Sequence, residues 1–222
     1  ATFLIPPLSD VVVAAVALVQ TGTWQAAALT TLNSFLLGMF FAIVAGIVIG
    51  VLMGRFAAVD NLLGIWVNIF VSAPLSALVP VLMILFGMGE TTVVVTVFLF
   101  AVWIIVLDTR AGIQGVPPSL VEMGRSYGAS RFALYFKIIL LAALPEILAG
   151  IRLGVVRGVK GVVIGQLLVS IIGYGELFEL YSRNFDMDNF WALTIILFAA
   201  AMGLSAVIES IEKRVDYYAG VR

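Results

Sequence analysis

Residues 11–54 contain no Asp, Glu, Lys or Arg, and neither do residues 61–89 and 189–208. About 20 apolar helical residues cross the hydrocarbon core of a bilayer. Inside lipid every backbone N–H and C=O must find a partner within the chain, which leaves helices or closed barrels. The alternation expected of a barrel strand is absent. The chain therefore reads as an all-α, multi-pass membrane protein. Its composition agrees: 63% hydrophobic and 11% charged over 222 residues, against about 25% charged in soluble domains.

Five core spans are expected, at about 29–54, 61–87, 90–107, 138–170 and 190–210. Pro74 and Pro80 should bend the second, and Pro145 the fourth. Gly46 and Gly50 form a small-xxx-small pair that permits close helix contact. Residues 1–28 read as an extracytoplasmic lead-in segment, with a short surface helix over 9–20 capped by Ser9. Residues 29–222 read as one transmembrane domain with a polar loop over about 108–137. The first residue is Ala1 rather than Met and no cleavable signal follows, so a missing N-terminal span is an expectation.

Of 12 Lys and Arg, eight (Arg55, Arg110, Arg125, Arg131, Lys137, Lys213, Arg214, Arg222) fall on one side of this map. Arg183 alone falls on the other, beside Glu176, Glu179, Asp186 and Asp188. The positive-inside rule makes the first side cytoplasmic. The acidic side either receives a basic partner or is a solvated face. The four Trp residues suit interfacial anchoring or packing.

The chain has no His and no Cys. That excludes imidazole and thiol catalysis and the usual soft metal sites, so neither catalytic residues nor a metal is expected. No nucleophile–base pair shares a span, which argues against an enzyme. No G-x-x-x-x-G-K-[ST] loop is present, so ATP is not bound by that device. A net charge of −1 argues against nucleic acid.

The polar loop carries the sharpest local signal. Ser119 and Glu122 have the spacing of a capping box, preceded by Pro117 and Pro118. A helix is expected from about Leu120 to Tyr127, ended by Gly128 in the left-handed region. Ser130 then caps a second helix beginning at Arg131. The corner exposes Glu122, Arg125, Tyr127 and Arg131, a rigid charged knuckle tied to spans at both ends. Spacing alone fits an ordinary capped loop equally well.

Glu122-Met123-Gly124-x-x-x-Gly128, nine residues, then Ile138-x-Leu140 resembles the EAA loop of ABC-importer permeases. That pattern reads Glu-Ala-Ala, three residues, Gly, nine residues, Ile-x-Leu-Pro. Here Met123 and Gly124 replace the alanines, Leu141 replaces the proline, and Pro145 follows four residues later. Gly128–Phe132, Ala142–Pro145, Leu148–Leu153, Ser72–Pro80 and Phe86–Glu90 are similar to the nitrate, sulfonate and taurine group, as is Ile5–Val11. The resemblance implies a type I importer fold in the bacterial plasma (inner) membrane. It implies a cytoplasmic ABC ATPase dimer, which binds ATP and Mg, docking on a coupling helix; Ser119, Glu122, Arg125, Tyr127, Gly128 and Arg131 are the residues expected to meet it. It further implies a second permease subunit, expected to be a homodimer partner, and an extracytoplasmic substrate-binding protein. This chain would hold no cofactor of its own.

Arg152, Arg157 and Lys160 fall in the fourth span, where charge is costly and usually lines a cavity or is paired. Arg157 and Lys160 share a helix face. They read either as a cationic site for an anionic substrate or as partners of a neighbouring subunit. Arg152 reads as a snorkelling cation or a partner of Glu146. Gln166 would bond a passing ligand or a neighbouring helix. With Pro74 and Ser76 these form the expected substrate pathway, for a small anion such as nitrate, a sulfonate, taurine or an organic acid. The alternative is an ion-coupled secondary transporter, which would call for inverted repeats or paired mid-span carboxylates; neither is evident.

Overall fold

The computed structural model describes residues 4–169 and 171–220, with side chains up to 210 apart from 205 and 208. Ser170, the expected end of the fourth span, lies outside the described residues, as do Arg222 and the side chains of Lys213 and Arg214. Among the described residues there is no strand.

Helix α1 covers Leu8–Val19 and α2 covers Gly22–Arg55. Ser9 does not cap α1. Pro7 occupies the N-cap, its ring having preset the backbone, and the Ser9 hydroxyl donates to Asp10 at 3.0 Å. The boundary expected at residue 28 falls inside α2, which is unbroken from Gly22.

Helix α3 (Ala57–Ser72) stops where Pro74 forces Ala73 into extended backbone, φ −69° and ψ 144°. A 3-10 turn over Leu75–Leu78 leads to α4 (Val79–Phe86), which takes Pro80 in its first turn. The missing N–H costs nothing there. The two prolines thus divide their work: Pro74 breaks the span and Pro80 starts the next piece. Helix α5 (Glu90–Gln114) overruns its expected end by about two turns.

Next come α6 (Pro118–Ser126), α7 (Arg131–Leu134), a π-helical turn over Tyr135–Ile139 and α8 (Leu140–Ala142). Helix α9 (Leu144–Val169) leaves this segment at a 55° bend. Pro145 lacks the N–H that the Leu141 carbonyl would accept, which explains the break. Gly173–Arg183 forms α10, and α11 runs over Met187–Gly220, longer than the expected last span.

Among the described residues α2, α5 and Met187–Leu204 of α11 are each long and apolar enough to cross a membrane, and two bent pairs raise the count to five.

Two compact units emerge. The first comprises Ala1–Phe40, Pro74–Phe100 and Val156–Ala206, the second Phe41–Ala73, Ala101–Val155 and Val207–Arg222. The first packs Leu18, Ala27, Phe178 and Leu193 in its core; the second packs Ile113, Ala143 and Ile147. In lipid, helices associate by close packing rather than by hydrophobic burial. Within the second unit a Cβ on Gly50 would stand 2.6 Å from Thr109 Cβ and 2.8 Å from the Val106 carbonyl. Gly46 meets Ile105 and Gly54 meets Ile113 in the same way. The small-residue row on α2 is therefore a seam against α5.

Candidate functional site

The corner between α6 and α7 is built from local chemistry. Pro117, at φ −56° and ψ 131°, is the N-cap of α6, and Pro118 fills the first turn. Ser119 consequently sits inside the helix and caps nothing, so the Ser119–Glu122 capping box does not form. The proline pair supplies the start instead: its fixed φ preorganises the turn. Helix α6 ends in a Schellman motif. Gly128 has φ +76°, Ala129 N–H donates to the Gly124 carbonyl at 3.0 Å, and Gly128 N–H donates to Arg125 at 2.9 Å. Ser130 Oγ accepts from Ala133 N–H at 3.2 Å and starts α7, as the sequence predicts.

Gly124 is buried beneath Leu134 and Ile138, which fixes α6 against the segment that follows it. The rings of Phe132 and Phe136 stand 4.4 Å apart and stiffen that segment. Ser119, Glu122, Arg125, Tyr127, Gly128 and Arg131 are all exposed on this one helix–turn–helix, Tyr127 at 86%.

Nearby in the second unit, Arg110 anchors the end of α5 to the first turn of α3. Its Nη2 donates to Asp60 Oδ2 at 2.7 Å, and its Nε lies 2.7 Å from Oδ1, an ionic contact off the N–H axis. Gln114 adds a longer bond to the same carboxylate. This pairing explains the overrun of α5. In the sequence Arg110 reads only as a cation of the polar loop.

The expected pathway residues belong to the first unit and divide. Gly158 of α9 packs on Met39 and Phe35 of α2, and Gly161 packs on Val97 and Phe100 of α5. Arg157, half-buried, and Lys160, exposed, stand beside those contacts near the middle of α9. Pro74 and Ser76 are exposed at the 3-10 break. Gln166 is different. It is 1% exposed; its Oε1 accepts from Thr31 Oγ1 at 3.0 Å and from Tyr174 N–H at 3.2 Å. Gln166 Oε1 thus joins α9, α2 and the start of α10, one of its two expected bonds, while its Nε2 is buried with no hydrogen-bond partner among the described residues. Gly173 (φ +60°) and Gly175 make room for it, since a Cβ at Gly175 would collide with the Gln166 carbonyl. The G-Y-G spacing was the only sequence signal of this junction. Arg152, in the second unit, is half-buried and engaged.

The acidic segment is largely occupied. Glu179 pairs with Arg183 at 2.7 Å, and Asp186 accepts from Asn189 at the start of α11. Glu176 and Asp188 are exposed. Burial pushes the Tyr174 phenol up, and burial with the Asp186 carboxylate pushes up that of Tyr181, so both remain neutral donors. Among the described residues no group of three His, Cys, Asp or Glu could hold a metal.

Three kinds of similarity agree with this geometry. The chain is 29% identical over 188 residues to the taurine transport system permease protein of Escherichia coli (strain K12), covering 83% of this chain and 68% of that one. It is 29% identical to the glycine betaine/carnitine/choline transport system permease protein OpuCD of Bacillus subtilis (strain 168), over 78% and 74%. It is 25% identical to the nitrate import permease protein of Leptolyngbya laminosa, over 86% and 68%. The fold matches an inward-facing MetNI methionine ABC transporter with a TM-score of 0.69 at 21% identity, over 84% of this chain and 93% of that one. Residues 42–217 match the family described as the binding-protein-dependent transport system inner membrane component, and the chain belongs to that family.

Proposed function

We propose that this permease subunit forms a substrate path with a second copy of itself and is driven by a separate cytoplasmic ATPase pair. ATP and Mg belong to that pair, and an extracytoplasmic binding protein delivers the substrate. The corner at 119–131 is what the ATPase grips, with Ser119, Glu122, Arg125, Tyr127, Gly128 and Arg131 at the contact. The observation that carries this reading is the corner's construction: six exposed residues on a helix–turn–helix whose turn is closed by Gly128 and Ser130. The corner connects through α7 and α8 to α9 across the 55° bend, so its displacement would shift the span that follows. The corner lies at the cytoplasmic face, the chain ahead of α2 leads in from outside, and the permease body begins with α2.

The substrate is a small anion. Arg157 and Lys160 stand beside the glycine contacts of α9 near the middle of a span, where cations usually line a cavity or meet a partner. Pro74 and Ser76 contribute an exposed break in α-helix to the same path. The experiment reconstitutes the full complex with its ATPase and binding protein. Gly128→Val and Glu122→Ala should lower uptake at least tenfold per ATP hydrolysed while leaving the assembled complex intact. Unchanged coupling in both variants would overturn the reading.

A further inference from the structure

Beside the corner, within the second unit, lies a cavity of about 610 Å³. Arg55 reaches it from the end of α2, Arg125 from α6 and Arg131 from the start of α7, and no carboxylate lines it. Among the described residues none of these three arginines is ion-paired. The Arg55 guanidinium lies 5.4 Å from the centre of the Phe56 ring, a contact that steadies it without neutralising it. Tyr135 is on the same wall, and its hydroxyl is buried with no hydrogen-bond partner. The remaining wall is mainly apolar, with Ile113, Val116 and Ile139.

Three unpaired guanidiniums and an unsatisfied hydroxyl around one space call for an anion with several acceptor oxygens. A phosphodiester fits: its non-bridging oxygens accept from arginine forks and from a phenol. The apolar wall tells against a fully hydrated ion and favours an amphiphile, whose glycerol and first methylenes pack on Ile113 and Ile139. Basic pockets between helices at the inner face of a membrane bind anionic headgroups. We propose that this cavity holds the headgroup of an anionic phospholipid, lodged between the ends of α2 and α5 and the corner. The leaflet rests on the orientation proposed above; the cavity's chemistry does not. Arg125 and Arg131 then lie at the boundary between the ATPase contact and the cavity, Arg55 belongs to the cavity alone, and a lipid there makes the corner's stiffness depend on membrane composition.

The test uses native mass spectrometry of the purified full chain with phosphatidylglycerol and phosphatidylcholine of matched acyl chains, and separately with inorganic phosphate. It needs neither ATP nor substrate, so it fails or succeeds apart from coupling. Phosphatidylglycerol should be retained over phosphatidylcholine, and Arg55→Gln should cut that preference about fivefold, the factor one basic side chain contributes at an anionic surface. Arg55→Lys should keep the preference, and Tyr135→Phe should weaken retention of both lipids, since both carry the phosphate. Equal retention of the two lipids, a preference indifferent to Arg55→Gln, or displacement by an equal concentration of inorganic phosphate would each overturn the assignment.

Discussion

A methyl group on residue 175 has no room. It would meet the Gln166 carbonyl, which is held by the backbone of α9 and cannot swing aside. Gly175→Ala is therefore expected to destabilise the chain by about 2–3 kcal/mol, the scale of overpacking, visible as a lowered Tm in detergent. Gly64→Ala is the control: nothing lies within 4 Å of its Cβ and it sits inside α3, so it should be neutral or slightly stabilising. Gly128 poses a different problem. Space around it is open, but φ is +76°, so only the backbone conformation resists a side chain. Asn tolerates that region and β-branched Val does not. Gly128→Asn should keep most coupling where Gly128→Val loses it, measured as uptake per ATP. Equal loss in both would point to contact with the ATPase rather than to the turn itself.

At the scale of elements, the corner and its supports are separable. Ser130→Ala removes one cap bond and should cost about 1 kcal/mol, with little change in the length of α9. Asp60→Ala strands the Arg110 guanidinium at the α3–α5 junction and should cost about 2 kcal/mol, with Arg110→Ala adding little more in a double-mutant cycle. Much of this architecture was legible in the sequence. The uncharged runs announce spans because lipid permits little else, and Gly128 with Ser130 marks the turn because few residues suit those positions. What escaped depends on partners distant in sequence or on competition between local signals. Ser119 has the spacing of a cap, but Pro118 claims the first turn before it. Gln166 is a polar residue in a span, and nothing local says that Thr31 and Tyr174 take up its carbonyl oxygen. The acidic segment gave only its charge, yet Gly175, Leu177, Phe178 and Tyr181 bury one face of α10.

For the whole molecule the decisive question is orientation, because coupling, delivery and lipid headgroup all depend on which side the corner faces. With no Cys among these 222 residues, a single introduced cysteine is the one thiol of the chain. Ser126 and Ser182 are both exposed, one at the end of α6 and the other on α10. The bias of Lys and Arg between the two sides sets orientation, so this asymmetry should lock a single one. Ser126→Cys should therefore react with a membrane-impermeant maleimide only in inverted vesicles, and Ser182→Cys only in right-side-out vesicles. The reverse pattern would put the corner and its arginines on the side away from any cytoplasmic ATPase. Labelling of both positions from one side would mean an even number of crossings between them, contrary to one bent span formed by the segment from Arg131 to Val169. The same vesicles test Lys160: a Lys160→Ala variant that assembles with its partner subunit but transports poorly places Lys160 on the path, whereas loss of assembly places it at the contact between copies.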